Sequence, residues 1–353
     1  MRLEGWKAME RYRDALAREL PAVLPTGWSV TTLPDPDYSA WTRFPARWLA
    51  YPRMIDWSRW DVVHVLDHSY AHVLHGRRGH ARTVLTVHDL FAFDSLAQKP
   101  GIRGVVLRRI NQWVLSGLRN ADVCLCDSRA TLEAVARHFP DVESRARHEM
   151  LGVDSHFFVP DRLASRHKGR QFLGLSNDTV VILHVGSCNP RKNLPGLLRA
   201  IHRLVKPYPS IHLAQIGGRF NPGDHAMINR LGLETRVTQH PHIAETEMPH
   251  VYAAADVVAV PSLFEGFGFP VLEAFAVGVP VVATRNTSLA DFPDTMLQSA
   301  GQGSVDEIEH GLRSAFEDQD AALARAAMAR EWAREKTWER VAVATARAYG
   351  AVV

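Results

Sequence analysis

Cysteine is scarce: Cys124, Cys126 and Cys188 are the only three in 353 residues. An odd, sparse set builds no disulfide framework and suits a reducing compartment. Cys124 and Cys126 alternate in "ADVCLCDS", so on a strand they share one face. Small buried apolar side chains are the ordinary use of such a pair, and metal ligation is the alternative. The chain also lacks any apolar run near the ~20 residues that cross a bilayer. Its charged start, "MRLEGWKAMERYRDALAREL", has no signal-peptide core. Both absences point to a cytoplasmic protein. No G-x-G-x-x-G follows an apolar run, and "GFGFPVL" lacks the third glycine, which argues against a dinucleotide-dependent dehydrogenase. Excess charge is missing as well: a net +3 is too small to make nucleic acid the main partner. Lysine is rare, six against 35 arginines, so a lysine inside a motif is informative.

What remains is ordinary for a soluble globular chain, with 46% hydrophobic and 22% charged residues. The length favours two domains. Apolar strand-like runs recur at 28–33, 62–66, 82–89, 122–128, 180–186, 211–218, 257–262 and 279–284. Helical patterns such as "SRATLEAVARHF" and "LPGLLRAIHRLVK" separate them. Short continuous apolar strands between helices are the mark of parallel sheets buried on both faces. The expected fold is therefore α/β, with two Rossmann-like doubly wound domains facing across a cleft. The polar, basic stretch 158–178 reads as the linker. It divides a first domain at 1–165 from a second at 166–336, and an apolar-faced helix at 337–353 packs back on the first. In such sheets ligands bind outside the carboxyl ends of the strands, so the loops there are the places to search.

After "VVILHVG" comes "SCNPRKNLPGLL": a strand ending on Gly186, then Ser187, then Arg191 and Lys192 just before a helix. Two cations at a helix N-terminus suit a diphosphate, the alternative being a solvated basic turn. After "VVAVPS" comes "LFEGFG", with Glu265, Gly266, Phe267 and Gly268, and Phe269-Pro270 opens a helix that Gly278 closes. Glu273 is expected in the first turn of that helix. The two glutamates offer acceptors to sugar or ribose hydroxyls, and backbone N–H groups near Gly268 and Phe269 offer donors to phosphate. The plainer reading makes Glu273 a complement to its own helix N-terminus and Glu265 a surface charge. A third loop follows "RTVLTVHD" and places His88 and Asp89 at a strand end in the first domain, where a histidine can donate a hydrogen bond or move a proton.

At these residues the sequence resembles glycosyltransferase family 4, retaining enzymes of the GT-B fold. The likeness rests on "VGSCNPRKNLPGLLRAI", the Glu–x7–Glu pattern in "PSLFEGFGFPVLEAFAVGVPVVAT", and "TVHDL", "CDSRATLEAV", "LGVD", "VYAAADVVAVPS" and "TWERVAVATARAY" in the family's order. It spans roughly residues 60–350. The resemblance implies a nucleoside-diphosphate-hexose donor, GDP- or UDP-linked with a tilt towards mannose-like sugars, and a glycan or lipid-linked hydroxyl acceptor. It implies that Arg191 and Lys192 hold the diphosphate, that Glu273 accepts the ribose hydroxyls, and that Glu265 contacts the transferred sugar. Gly186, Ser187, Gly266, Phe267, Gly268 and Phe269 complete the donor site, His88 touches the sugar or its phosphate, and "HPHIAE" (240–245) packs on the base. It implies no cofactor and no metal. One departure stands out: the family opens with a strand and a Gly-rich loop, whereas here only "MRLEGWKAM" precedes the helix-like "ERYRDALARELP". A first domain without its first strand is the expectation, and acceptor binding is what that touches.

Two features bear on the acceptor. Seven of nine tryptophans precede residue 114 (Trp6, Trp28, Trp41, Trp48, Trp57, Trp60 and Trp113), serving either to pack an irregular stretch or to stack on sugars. No acid lies between Asp94 and Asp122, while Lys99, Arg103, Arg108, Arg109 and Arg119 do. That is either a solvated basic face or a peripheral contact with an anionic membrane at its inner face. Rival functions are a binding-only nucleotide-sugar protein, which the missing strand favours, and a sugar-nucleotide epimerase, which the Pro-Arg-Lys-Asn loop disfavours.

Overall fold

The computed structural model describes residues 7–33, 47–48, 51–91 and 101–350. Trp6, Trp41, Asp94 and Lys99 lie outside them. The chain forms two units: Met1–Gly152 together with Trp338–Val353, and the continuous Val153–Thr337.

The first unit holds a parallel sheet in the order β1-β2-β3-β4: β1 (Val62–Val65), β2 (Arg82–Val87), β3 (Val123–Cys126) and β4 (Ala146–His148). Its helices are α1 (Lys7–Val23), a single turn α2 (Tyr51–Met54), α3 (Gly101–Ser116) and α4 (Arg129–His138), with the last helix of the chain, Trp338–Tyr349, returning to it. The strands β1 to β3 are mostly apolar, as a sheet covered on both faces requires, and Val84, Leu85 and Val87 are fully buried. Helix α1 buries Tyr12, Ala15, Leu16 and Leu20 at helical spacing. A buried polar chain then ties helices to sheet. Tyr12 Oη lies 3.0 Å from Thr86 Oγ1, His64 Nε2 lies 2.8 Å from the same oxygen, and His64 Nδ1 lies 2.9 Å from Tyr349 Oη. Cys124 and Cys126 sit in the apolar core, where burial pushes the Cys124 thiol up to about 12.

The expected strand at 28–33 is not there. Trp28 and Val30 are 39% and 38% exposed, and no described residue pairs with this run. Strand-type composition becomes a strand only where a neighbour supplies the ladder bonds. Among the described residues nothing pairs with the outer edge of β1 either. A cavity of about 400 Å³ lies beside that edge, lined by Leu16 and Leu20 of α1, by Trp28 and Val30, and by Val63 and His64 of β1.

The second unit holds a parallel sheet in the order β10-β9-β8-β5-β6-β7. Its strands are β5 (Val180–Val185), β6 (Ile211–Ile216), β7 (Val237–His240), β8 (Val257–Val260), β9 (Val281–Ala283) and β10 (Gln298–Ser299). The helices are α5 (Arg162–Leu173), α6 (Leu194–Leu204), α7 (Pro222–Arg230), α8 (Met248–Ala254), α9 (Phe269–Val277), α10 (Val305–Glu317) and α11 (Gln319–Arg334); the returning Trp338–Tyr349 is α12. The stretch read as a linker, 158–178, belongs to this unit. Its Arg170 is 1% exposed and reaches the carbonyls of Ala254 (3.1 Å), Ser176 (2.6 Å) and Asn177 (2.7 Å) and Asp256 Oδ2 (3.0 Å). A basic composition conceals a buried anchor, and the division falls at Gly152–Val153 rather than at 165. The chain enters and leaves the unit side by side, Val153 N donating to Lys336 O at 2.9 Å.

Candidate active site

The second sheet winds outward in both directions from β5, with β6 and β7 on one side and β8, β9 and β10 on the other. The winding therefore reverses between β5 and β8, and a crevice opens outside the carboxyl ends of that pair. Ile182 and Leu183 of β5 pair with Val257 and Val258 of β8, so the loops that follow these strands flank the crevice.

The loop after β5 begins on Gly186, where an added Cβ would stand 3.1 Å from Lys192 Cε; the glycine leaves room for the lysine chain to pass. Beneath it, Gln215 donates from Nε2 to the carbonyls of Gly186 (2.8 Å) and Gly217 (3.0 Å) and accepts His184 Nδ1–H at 2.5 Å. Burial pushes the His184 imidazole down to about 4, so it stays neutral. Asn189 Oδ1 accepts from Arg191 N (3.1 Å), closing a 3-10 turn over Pro190–Lys192. Asn193, in the left-handed region at φ 56°, starts α6 and donates to Gly303 O at 2.8 Å. Ser187 is exposed.

The loop after β8 carries Glu265, 6% exposed. Lys192 Nζ bonds to its Oε1, Ser262 Oγ donates to the same oxygen at 2.8 Å, and Arg191 Nη1 lies 3.8 Å from Oε2. Burial alone would raise this carboxyl. The Lys192 ammonium, then Arg191 and the Ser262 hydroxyl, outweigh it and hold Glu265 below its ordinary range. Its main chain is clamped too: Glu265 N donates to Thr287 Oγ1, and Ser288 Oγ donates to Glu265 O, each at 3.0 Å. Gly266 is half-buried, while Phe267 is buried with its ring edge-on to Phe269 at 5.1 Å. Gly268, at φ 107°, turns the chain into α9 in a space where an added Cβ would stand 2.8 Å from Leu289 Cδ2.

The helix α9 starts at Phe269 as expected, but Glu273 is its fifth residue, just past the first turn, which holds no acid. The plainer reading of Glu273 as a complement to its own N-terminus does not fit this position. The side chain is 7% exposed and accepts the Tyr252 hydroxyl on Oε2 at 2.5 Å, from a tyrosine of α8 that is itself fully buried. Burying these two carboxylates and the Lys192 ammonium is costly unless each is matched, and every one has a bonded partner. The 240–245 stretch follows β7, at the same edge of the sheet.

In the first unit His88 follows β2, and its ring joins three strand ends. Nδ1–H donates to Asp127 Oδ2 (2.9 Å) after β3, and Nε2–H donates to Leu66 O (2.9 Å) after β1. Asp67 adds a second nearby acid, and the Tyr12 ring meets His88 edge-on at 5.4 Å. Burial opposes the charged imidazole, but the Asp127 carboxylate overrides it and raises His88 to about 9. Both ring nitrogens are thus engaged, and the residue is 4% exposed. His88 acts on a ligand through its ring only after leaving Leu66 O. Asp89, beside it, is half-buried.

Two family profiles match successive parts of the chain: Glycosyltransferase Family 4 over residues 10–157 and Glycosyl transferases group 1 over residues 165–333. The chain is a glycosyltransferase similar to those of family 4. Among relatives of this glycosyltransferase, O-antigen chain mannosyltransferase B of Escherichia coli is 27% identical over 85% of this chain and 78% of its own length. D-inositol 3-phosphate glycosyltransferase of Corynebacterium glutamicum is 31% identical, over 47% of this chain. This chain spans 41% of that relative's length. Among solved structures, HepE of Anabaena in complex with UDP and glucose superposes with a TM-score of 0.70 at 20% identity, covering 90% of this chain and 84% of that one. The two parallel-sheet α/β units of the glycosyltransferase are those of the GT-B fold. Sequence reasoning missed the supports of its site, namely Tyr252, Ser262, Thr287, His184 and Gln215. The last two were findable, since they stand opposite each other in the β5–β6 register as the polar members of apolar strands.

Proposed function

We propose that this chain transfers a hexose from a nucleoside-diphosphate-sugar to a hydroxyl of a glycan or lipid-linked acceptor, with retention at the anomeric carbon. The observation that carries the reading is the Arg191–Lys192 pair meeting Glu265 at the point where the second sheet reverses. Two cations beside a buried carboxylate can hold a diphosphate and take up the charge that grows on it as it departs. The step balances without a cofactor or a metal. The bond from the anomeric carbon to the phosphate oxygen breaks with its electron pair on the diphosphate, the acceptor oxygen bonds to the same face, and the acceptor proton passes to the departing phosphate oxygen. Glu265 contacts the sugar hydroxyls. Its bonds to Lys192 and Ser262 suit a carboxylate that orients groups better than one that attacks carbon. Glu273, fixed by Tyr252, accepts the ribose hydroxyls. The neighbour solved with UDP and glucose supports a uridine donor, and the mannosyltransferase relative supports a mannose-like sugar.

The test is release of nucleoside diphosphate from UDP-, GDP-, ADP- and dTDP-sugars without added acceptor, with Lys192→Ala and Glu273→Ala as controls. Slow hydrolysis of one donor, lost in both variants, is expected. Nucleotide binding with no release from any donor would overturn transfer in favour of a binding-only role, and recovery of an epimerised sugar nucleotide would favour the epimerase.

A further inference from the structure

Helix α3 of the first unit presents the wrong kind of face to solvent. Its inner side buries Gly104, Val114 and Leu115 against the unit. On a surface helix the opposite side is ordinarily polar. Here it carries Ile102, Val105, Val106, Arg109 and Trp113, spaced i, i+3, i+4, i+7 and i+11, which is one stripe along the helix. Ile102 is 84% exposed, Val106 50% and Trp113 46%. The stripe ends in an aromatic cluster: the Trp113 ring lies 5.7 Å from Trp48 and 5.4 Å from His75, and the Arg47 guanidinium stands 5.2 Å over Trp48. Around it the charge has one sign. Residues 101–121 hold Arg103, Arg108, Arg109 and Arg119 and no acid, and Arg109 and Arg119 are exposed.

We infer that α3 docks on an anionic lipid bilayer, lying in the plane of the interface. Ile102, Val105 and Val106 would enter the boundary between headgroups and acyl chains, Trp113 would sit at headgroup level, and the arginines would meet lipid phosphates. Charge complementarity selects this occupant over a protein surface. The charges on this helix and the turn after it are all basic, with no acid in 101–121 to pair with a protein's cations, and an apolar stripe edged by arginine and ending in tryptophan is what an anionic headgroup layer receives. The lipid is the partner of a docking face distinct from the donor loops, so the inference does not depend on transfer.

The test uses the full chain and no donor: co-sedimentation with phosphatidylcholine vesicles, with and without about one-third phosphatidylglycerol, at low and high salt. Binding to the anionic vesicles, weakened by salt, is expected. Val106→Glu should abolish it, and Arg109→Glu, which leaves the apolar stripe intact, should weaken it by at least about fivefold. Both positions are exposed, and thermal melting checks that the variants fold. Donor hydrolysis in both variants should match the parent, which separates failure of docking from failure of the transferase reading. Absent or variant-insensitive vesicle binding would overturn the inference. So would self-association that Val106→Glu abolishes while vesicles fail to bind, since the stripe would then be an interface between copies.

Discussion

Glu265 and Glu273 form one sequence pattern but do unlike work, because their partners differ. Glu265 is held by two cations and Glu273 by a neutral hydroxyl. Tyr252 is therefore a positioning residue for Glu273. Tyr252→Phe should raise the donor KM by about tenfold, the worth of one hydrogen bond to a charged group, and leave kcat nearly unchanged. A donor with a deoxyribose should lose its disadvantage in the same variant. If Tyr252→Phe weakens ribose and deoxyribose donors equally, the role is only structural. The cations and glutamates were legible in sequence because they sit in loops that follow apolar strands. Tyr252 and Ser262 were not: a polar residue inside "VYAAADVVAVPS" looks the same whether it points to core or site.

At the scale of elements, apolar runs ended by glycine or proline translated directly, and β5, β6, β8 and α9 stand where the pattern put them. Short strands escaped: "ARH" (β4), "VTQH" (β7) and "QS" (β10) have little apolar content and exist because a neighbour's ladder recruits them. The run 28–33 failed for the opposite reason, having the composition and no described partner. The turn into α9 allows a sharper test. Gly268→Ala combines a strained φ with a Cβ driven to 2.8 Å from Leu289, whereas Gly174→Ala has a positive φ of 68° and open space. Strain alone costs about 1–3 kcal/mol. Gly268→Ala should lower the melting temperature further than Gly174→Ala and also weaken nucleotide binding by calorimetry. Equal effects would mean that the packing around Leu289 yields freely.

For the molecule as a whole, stability should bend with pH through His88. Its ordinary value of 6.5 rises to about 9 in the fold. A raised value means that the His88 contribution, on the order of 1–3 kcal/mol, is lost as pH climbs through 9, and because burial raises its partner Asp127 to about 7, the charged pair is held between those two values. Thermal melts between pH 6 and 10 should show a steeper fall for the parent than for Asp127→Asn, and parallel curves would remove the pair from the account. The division into two units was legible as a doubling of the strand–helix alternation. Its position was not, since a buried arginine and a polar linker are written in the same residues.

Helix α12 has a consequence for how the protein is made. It belongs to the first unit, where Ala348 packs with Val84 and Leu125 and its carbonyl accepts Arg82 Nε–H at 2.8 Å. As the chain leaves the ribosome, residues 153–337 are complete while the first sheet still awaits its last covering helix. The half that is translated first is finished last, and until then it depends on chaperones, or on speed, to keep that bare face from other nascent chains.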